Sequence, residues 1–571
     1  MSSESITRRT FIRLTGAVAG TALLLDACAP PAPPASAPTS PGSTPPPTAA
    51  GVKLPTYVAF NGPKPDFEGS ADGVIPAAYL NYPRNPTKSV AQPFGKGGEV
   101  SALMYTTQAV PTAAEQNPAW QQVNKELGVS MKFPIIQLAD YTAKLNTTIA
   151  GGQLPDLLSL GTNNGSGILN LPAFLESQCA DLTSFVSGDA VKEFPNLANL
   201  PPFAWRNAVF NNKIFAVPVV RTNISAAIMF AKGRVLQSVG GAPFTNKDDF
   251  LAKMKQLTGG GTQWGLGATV VGAPTNGIPG MATYFLESFG APNQWRETSG
   301  KLTKDWETEE FKAGIAFVRS LWEAGVMHPD TPTATVNQAA QNFYAGKTVL
   351  WSNGFTIGDV AWNRAHAMDP NFGMRGLVPF SADGTLRQAQ GERRPVHHLG
   401  AGAALLTVVK KASADRIKEM LGILNYLSAP FGTAEFLLIW YGIQGVEYEP
   451  DANGNPQVTE KGQPDLFIPW PNLGSPASVL YNARSPEYAR TMHPDASAIQ
   501  SLGIQNPVVG LYSKTNADRA SALNQKMGDG LLDIIFGRSE LSSFDQLVKD
   551  WRSAGGDQIR SEFEQALQAG R

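Results

Sequence analysis

The chain has 571 residues, with 46 lysines and arginines against 47 aspartates and glutamates, for a formal net charge of −1. That length exceeds what one hydrophobic core serves and implies two large lobes. The near-neutral balance, with no basic stripe interleaved with aromatics, argues against a nucleic-acid partner and against a general pull toward anionic membrane.

In chain order, the N-terminus reads as an address. Arg8-Arg9 lies in Thr7-Arg8-Arg9-Thr10-Phe11-Ile12-Arg13, which resembles a twin-arginine export signal. The apolar stretch that follows, residues 14–25, is too short to span a bilayer as a stable helix. Leu25-Asp26-Ala27-Cys28 resembles a lipobox, so Cys28 is the expected lipidation site within a signal segment 1–28. Two acyl chains on that residue suffice for stable anchoring where one is marginal. Residues 29–50 are nearly all Pro, Ala, Ser, Thr and Gly and should form an extended spacer. With Cys28 lipidated, Cys179 is the only other cysteine, so no intrachain disulfide can form and Cys179 should pack as a small apolar residue.

Residues 51–98 show no long periodic run and are expected as an arm draped over the body. Residues 100–106 predict a first strand, and 119–127 a helix with Trp120, Val123 and Leu127 on one face. A strand over 130–136 follows. Asp140 is the expected N-cap of a helix with Tyr141, Leu145, Thr148 and Ile149 inward, and Gly151-Gly152 is its stop. Residues 155–160 form the next strand and 161–165 a polar loop at its carboxyl end. A crossover of this length joins parallel strands, which sets an α/β class. In such sheets ligands lie beyond the carboxyl ends of the strands. Further strands are predicted over 213–220, 225–230, 264–269, 346–351 and 402–409. Helices are predicted near 248–257, over 308–324 capped by Thr308, and over 413–427 capped by Ser413. Two more end the chain, one carrying Phe544, Leu547, Val548 and Trp551 and the other Ile559, Phe563 and Leu567.

Three groups of blocks resemble a known family. They are Trp120–Val129 (WQQVNKELGV), Ala139–Leu158 (ADYTAKLNTTIAGGQLPDLL) and Ala180–Val186 (ADLTSFV) early in the chain, then Ala429–Phe436 (APFGTAEF) and Tyr441–Tyr448 (YGIQGVEY), then Ile534–Asp557 near its end. Together they are similar to extracellular solute-binding proteins of family 1, the receptors of ABC importers, and to the long lipid-anchored branch that includes alginate-binding proteins. The resemblance implies a two-lobed periplasmic-binding-protein-like fold of type II with three interlobe crossings. The expected layout is 99–222 with 396–440 in lobe 1 and 223–395 with 441–571 in lobe 2, the last crossing falling beyond Trp440. It implies a lipid-anchored receptor outside the cytoplasmic membrane that serves ABC permease subunits as a monomer. The implied ligand is a mono- or oligosaccharide held by lobe closure. A non-sugar solute such as a peptide, and a secreted glycan-cleaving enzyme, stand as alternatives.

A sugar needs flat aromatic platforms for its C–H faces and planar polar groups for its hydroxyls. Trp351, which closes a strand, and Trp295, in a turn-rich loop, are the leading stacking candidates; hinge packing is the other reading of Trp351. Trp264 and Trp440 come next, while Trp120, Trp205, Trp322 and Trp551 read as packing. Gln108, Asn163, Asn164 and Arg221 follow strands, where an open sheet presents ligand contacts. The asparagine pair also suits an ordinary turn. Arg221 could grip a carboxylate or vicinal hydroxyls, or pin the hinge through an ion pair. Asn293 and Asn353 accompany the two leading tryptophans. His397 and His398 point to opposite faces of a strand, so they do not chelate one metal, but one could face the ligand. Asp451-Ala452-Asn453-Gly454-Asn455 opens like a calcium loop, yet the acid its twelfth position requires is Gly462. A turn is expected there, with no metal and no cofactor. Serine-elbow, zinc-helix, Walker and C-x-x-C motifs are absent, so binding without catalysis is expected.

Overall fold

In a computed structural model of the protein, residues 52–91, 93–162, 168, 170–224, 228–268, 276–386 and 395–569 are described. The chain divides into a unit of residues 1–48 and a unit of residues 49–571, and every described residue belongs to the second. Cys28, the export motif and the spacer lie outside the described residues.

The strands that organise the fold are β1 (Glu99–Leu103), β2 (Ser130–Lys132), β3 (Leu157–Gly161), β4 (Ala216–Val220) and β5 (Ile228–Lys232). After them come β6 (Trp264–Gly267), β7 (Thr348–Asn353), β8 (Met374–Leu377) and β9 (Ala403–Val409). They form two open sheets, ordered β2-β1-β3-β9-β4 and β8-β5-β7-β6. In the first, β1 runs parallel to β2 and β3, while β9 runs antiparallel to both β3 and β4. The carboxyl ends of β1, β3 and β4 therefore share one edge with the start of β9, where Ala403 faces Val220. In the second sheet β7 is parallel to β6 and antiparallel to β5, and Asn353 faces Ile228.

Local sequence explains most of these elements. Helix α1 (Pro118–Leu127) starts where the Asn117 side chain accepts from the Trp120 amide at 2.9 Å and stops at Gly128, whose φ of 71° suits a residue without Cβ. Its Trp120, Val123 and Leu127 are buried, as the spacing predicts. Two of the boundaries that differ from expectation have local causes. Helix α2 (Leu138–Ala150) begins two residues before Asp140, whose carboxylate sits in the first turn, where the helix dipole favours it. Strand β2 ends at Lys132, because Pro134 cannot donate to a ladder, and Phe133 turns onto Trp120 at 4.7 Å. Helix α3 (Glu309–Glu323) is capped by Thr308 and α5 (Ala414–Leu427) by Ser413, as the sequence predicts; between them α4 (Gly358–Met368) follows β7. Helix α6 (Ala434–Tyr441) comes after α5.

One core lies on the first sheet and includes Trp120, Trp205, Cys179 and the stripe of α5. Burial pushes the Cys179 thiol up to about 12, against the pull of Lys411. The second sheet carries a core on each face, and successive β5 residues alternate between them. Met229 and Ala231 face one core, Ile228 and Phe230 the other. Residues 52–98 contribute backbone contacts more than regular structure. Val58 donates to Ala198 at 2.8 Å, Tyr79 to Leu480 at 2.9 Å and Gly95 to Leu127 at 3.1 Å. Val52 is buried in the first core and Ala78 in one of the cores of the second sheet.

Near the C-terminus, α7 (Lys514–Ile535), α8 (Phe544–Trp551) and α9 (Asp557–Gln568) close the second lobe. Glu562 on α9 ties down the start of α7. It accepts from Ser513 Oγ at 2.6 Å, Thr515 N at 2.9 Å, Thr515 Oγ1 at 2.7 Å and Gln558 Nε2 at 3.0 Å. Burial opposes its ionisation, but these donors outweigh it and hold the carboxyl down at about 2. A depressed folded pKa stabilises above the unfolded value and loses that contribution as pH falls toward the folded one. Glu562→Gln is expected to lose about 1 kcal/mol at neutral pH, discounted because the group is largely solvated. Urea unfolding across a pH series should show that gap closing from about pH 4.5 down to about pH 2; a gap independent of pH would refute the assignment.

Candidate functional site

The chain leaves the first sheet at Val220 and enters the second at Ile228, then leaves the second at Leu377 and returns at Ala403. Both passages join the carboxyl edge of one sheet to that of the other. They are tied together, since Gly400 N donates to Asn223 O at 2.8 Å and Gln500 Nε2 to Asn223 Oδ1 at 2.9 Å. The third passage comes later than expected. Ile468, Trp470 and Leu473 pack in the first core, whereas Tyr488 and Met492 pack on the second sheet. Trp440 is therefore followed by about thirty residues that stay with the first lobe, among them a hairpin of Tyr448–Pro450 and Pro456–Val458.

Several predicted residues sit on this shared edge. Gln108 follows β1 and is exposed; its backbone N–H donates to Thr106 Oγ1 at 3.0 Å and its carbonyl accepts from Gln137 Nε2 at 3.2 Å. Arg221 follows β4 directly. Its Nη1 donates to Val220 O at 3.0 Å and to Ser475 Oγ, on the third passage, at 3.4 Å. Burial lowers its pKa against a smaller opposing effect of Tyr105. Among the described residues no carboxylate pairs with it, so the hinge ion pair considered from sequence is not made. Asn353 ends β7 half-buried, its Oδ1 accepting from Gly354 N at 2.7 Å. Asn163 and Asn164 lie outside the described residues.

Other candidates are used by the fold. Trp351 is fully buried, stacked with Phe230 at 5.8 Å and Phe343 at 5.3 Å, because β7 is a central strand covered on both faces. Trp295 is buried beneath Trp551 and Phe563, at 6.1 and 6.0 Å, helices that the sequence supplies more than 240 residues later. Both are corrections to the stacking expectation. Trp264 opens β6 at the end away from the crossings and lies against His328 at 4.4 Å. The Asn293 amide donates to Leu399 O at 2.8 Å and Ile504 O at 3.0 Å, pinning the second passage. His397 and His398 belong to that passage and are buried. His397 Nδ1 lies 3.1 Å from Glu287, and His398 Nε2 lies 2.8 Å from Ala291 O. Neither faces open space. Trp440 differs, being 39% exposed and stacked on Phe436. The Asp451 carboxylate accepts from the Asn453 and Asn455 amides at 2.8 and 2.9 Å within the hairpin turn. Among the described residues no group of three or more His, Cys, Asp or Glu side chains is placed to hold a metal.

Sequence reasoning missed four residues that the passages bring to the same edge. Tyr105 is half-buried just after β1, its carbonyl accepting from Asn472 Nδ2 at 2.8 Å, and it lies within electrostatic reach of Arg221. Ser475 comes from the third passage. Asp359, in the first turn of α4, has its carboxyl pushed up by burial, against the pull of amides at the helix start. Tyr441, at the end of α6, is within electrostatic reach of Asp359 and is pushed up by burial first. A polar and aromatic set, half-buried except for the buried Ser475, therefore meets groups from both sheets. The position of Tyr105, on the exit of a strand, was the available signal; nothing local marks the other three.

Two open α/β sheets joined edge to edge by three passages define a two-lobed α/β fold. No protein-family model matches the chain. It is 24% identical over 493 residues to the polygalacturonan/rhamnogalacturonan-binding protein YtcQ of Bacillus subtilis, covering 83% of this chain and 93% of the relative. It is 21% identical over 473 residues to lipoprotein LipO of the same organism, covering 80% and 90%. Its fold matches a solute-binding protein of Bifidobacterium longum infantis with a TM-score of 0.61 at 13% identity, covering 83% of this chain and 98% of that one. The alginate-binding protein AlgQ2 matches with a TM-score of 0.56 at 13% identity, covering 85% and 100%. Relatives and fold agree with the resemblance to extracellular solute-binding proteins of family 1.

Proposed function

We propose that the protein is the receptor of an ABC importer and closes its lobes on a mono- or oligosaccharide outside the cytoplasmic membrane. The observation that carries this reading is the common edge. The carboxyl ends of both sheets open onto the same three passages, so a solute there can touch both lobes only when they are shut. Such a ligand stabilises the closed population by its differential affinity. Relatives named as saccharide-binding proteins support the sugar class, and they are binding proteins by name. Twin-arginine export, a lipid on Cys28 and a spacer over 29–50 deliver the body to the membrane surface in this reading. Among the described residues no helix is long and apolar enough to cross a membrane. Lobe 1 then comprises 99–222, 396–440 and the stretch through Leu473, lobe 2 comprises 223–395 and the residues after Leu473, and 51–98 is an arm laid over both. The monomer presents its closed form to the permease.

A thermal-shift screen of sugars tests this. Ligand at about a hundred times Kd stabilises the native state by about 2.7 kcal/mol, a rise of about 2–3 °C for a body of this size. Small-angle scattering should show a smaller radius of gyration with the same sugar. No rise with any saccharide and a rise with peptides would transfer the reading to another solute. New reducing ends on incubation with glycans would make the protein an enzyme instead.

A further inference from the structure

The three passages are not alone in joining the lobes. The arm before β1 fixes itself to lobe 1, then to lobe 2, then to lobe 1 again. At its start, Thr56 N donates to Gly188 O at 2.9 Å and Val58 N to Ala198 O at 2.8 Å. Residues 66–80 then fold back on themselves, with Phe67 N donating to Ala78 O at 3.1 Å and Ala78 N to Phe67 O at 2.9 Å. The base of this hairpin is seated on lobe 2. Ala78 is fully buried in a core of the second sheet, and Phe67 and Leu80 pack against the same core. Phe67 also stacks on His493 at 5.4 Å, and His493 Nε2 lies 3.0 Å from Glu68 O. His493 belongs to the helix Pro486–Gln500, which is bound to β8 where Asp495 accepts from Gly376 N at 2.9 Å.

The tip of the same hairpin lies against lobe 1. Ile75 N donates to Ser70 Oγ at 2.8 Å and Val74 N to Asp72 Oδ1 at 3.1 Å, which closes the turn. A Cβ on Gly73 would lie 3.1 Å from Cγ of Pro201, whose neighbours Leu200 and Ala204 are buried in the first core. Asp72 is within electrostatic reach of Tyr57, whose hydroxyl is bonded to the Asn199 side chain. Among the described residues no hydrogen bond joins the tip to lobe 1, so the two meet by surface alone.

The return to lobe 1 is short. Tyr79 N donates to Leu480 O at 2.9 Å and Leu480 N to Ala77 O at 2.8 Å, so the arm runs beside the third passage. Tyr82 is buried beside Phe431, its N–H donating to Asn455 Oδ1 at 2.9 Å and its hydroxyl to Thr433 O at 3.2 Å. The two residues from Leu80 to Tyr82 span at most about 7 Å, against about 30 Å for the nine from Val58 to Phe67. The outward leg has slack and the return has none. When the lobes rotate, the return cannot lengthen and the tip resists approach.

We propose that residues 66–80 are a strap across the hinge, rooted in lobe 2, tied to lobe 1 at Tyr82 and set against Pro201 as a stop, that limits the angle through which the lobes rotate. An isolated two-stranded hairpin is marginal in water, so its order comes from the two lobes it touches. A narrower range of angles leaves less freedom for a solute to remove on binding. The strap is tested without ligand, so it stands or falls separately from the choice of solute.

Double electron–electron resonance tests it in ligand-free protein carrying Lys144→Cys on α2, Gln341→Cys in lobe 2 and Cys28→Ser. Both labelled positions are exposed, while Cys179 is buried and takes no label. With the strap intact, one narrow distance peak is expected. Replacing residues 70–75, none of them fully buried, with a short glycine-serine turn removes the stop and should add a shoulder on one side of that peak. Phe67→Ser combined with His493→Ala loosens the base and should broaden the peak. Melting temperatures within a few degrees of the parent's would show that the lobes of both variants are folded, and the tip replacement decides the matter even if the base variant unfolds. A tip-replaced protein with the parent's distribution would overturn the stop and reduce residues 66–80 to a covering. A parent peak already as broad as that of the variants would overturn the strap as well.

Discussion

Trp351→Ala is expected to destabilise the protein by about 3–5 kcal/mol and to leave saccharide affinity of the folded protein unchanged. The indole is fully buried on the central strand β7, against Phe230 and Phe343, with Tyr344 edge-on at 5.8 Å. Truncation removes the largest fully buried side chain of that core and leaves a cavity, because a central strand with its partners on both sides cannot collapse inward. A ligand-stacking tryptophan would behave in the opposite way, with stability nearly untouched and affinity sharply reduced. Urea unfolding and calorimetric titration on the same preparation separate the two. A normal midpoint with lost binding would return Trp351 to the cleft. Trp440→Ala is the natural contrast. That ring is partly exposed on α6, and its loss should cost little stability.

Asp305→Ala should be as costly, by about 3–5 kcal/mol, for an electrostatic reason. Asp305 is fully buried and accepts from Lys304 Nζ at 2.7 Å and from Trp306 N at 2.8 Å. Lys304 is itself 6% exposed, donates to Gln294 O at 3.1 Å, and lies 3.8 Å above the Trp306 ring and 5.6 Å from that of Trp295. Removing the carboxylate strands an ammonium among aromatic rings, where the ring faces and one carbonyl replace only part of the lost attraction. The cost comes from the surviving charge, so adding Lys304→Met should recover much of it. A double variant no more stable than Asp305→Ala would show that the carboxylate acts through the Trp306 amide instead. Denaturant midpoints of the three proteins decide this.

These two sites also show where sequence reading stops. Trp295 stood in a loop rich in turn residues with no visible core, and its partners Trp551 and Phe563 arrive only when the C-terminal helices fold back. Trp351 was read as closing a strand over 346–351, but β7 runs on through Ser352 to Asn353 and places the ring mid-strand. Whether the strand was central or at an edge, and so whether its ring was covered, depended on pairing with β5 and β6. His397 and His398 were read as lying just before a crossing and Asn293 as part of a turn-rich loop, but their hydrogen-bonding groups serve the passage itself.

The passage after Arg221 came from the family resemblance; the sequence alone determined the α/β class, the helix caps at Thr308 and Ser413, and the stripes of α1, α3 and α5. Each of these depends on residues a few positions apart, where periodicity and capping chemistry act. Tertiary structure decided which tryptophans are walls and which are open, where the third passage falls, and that Tyr105, Asp359, Tyr441 and Ser475 border the shared edge. Those facts depend on contacts across hundreds of residues, which local pattern does not encode.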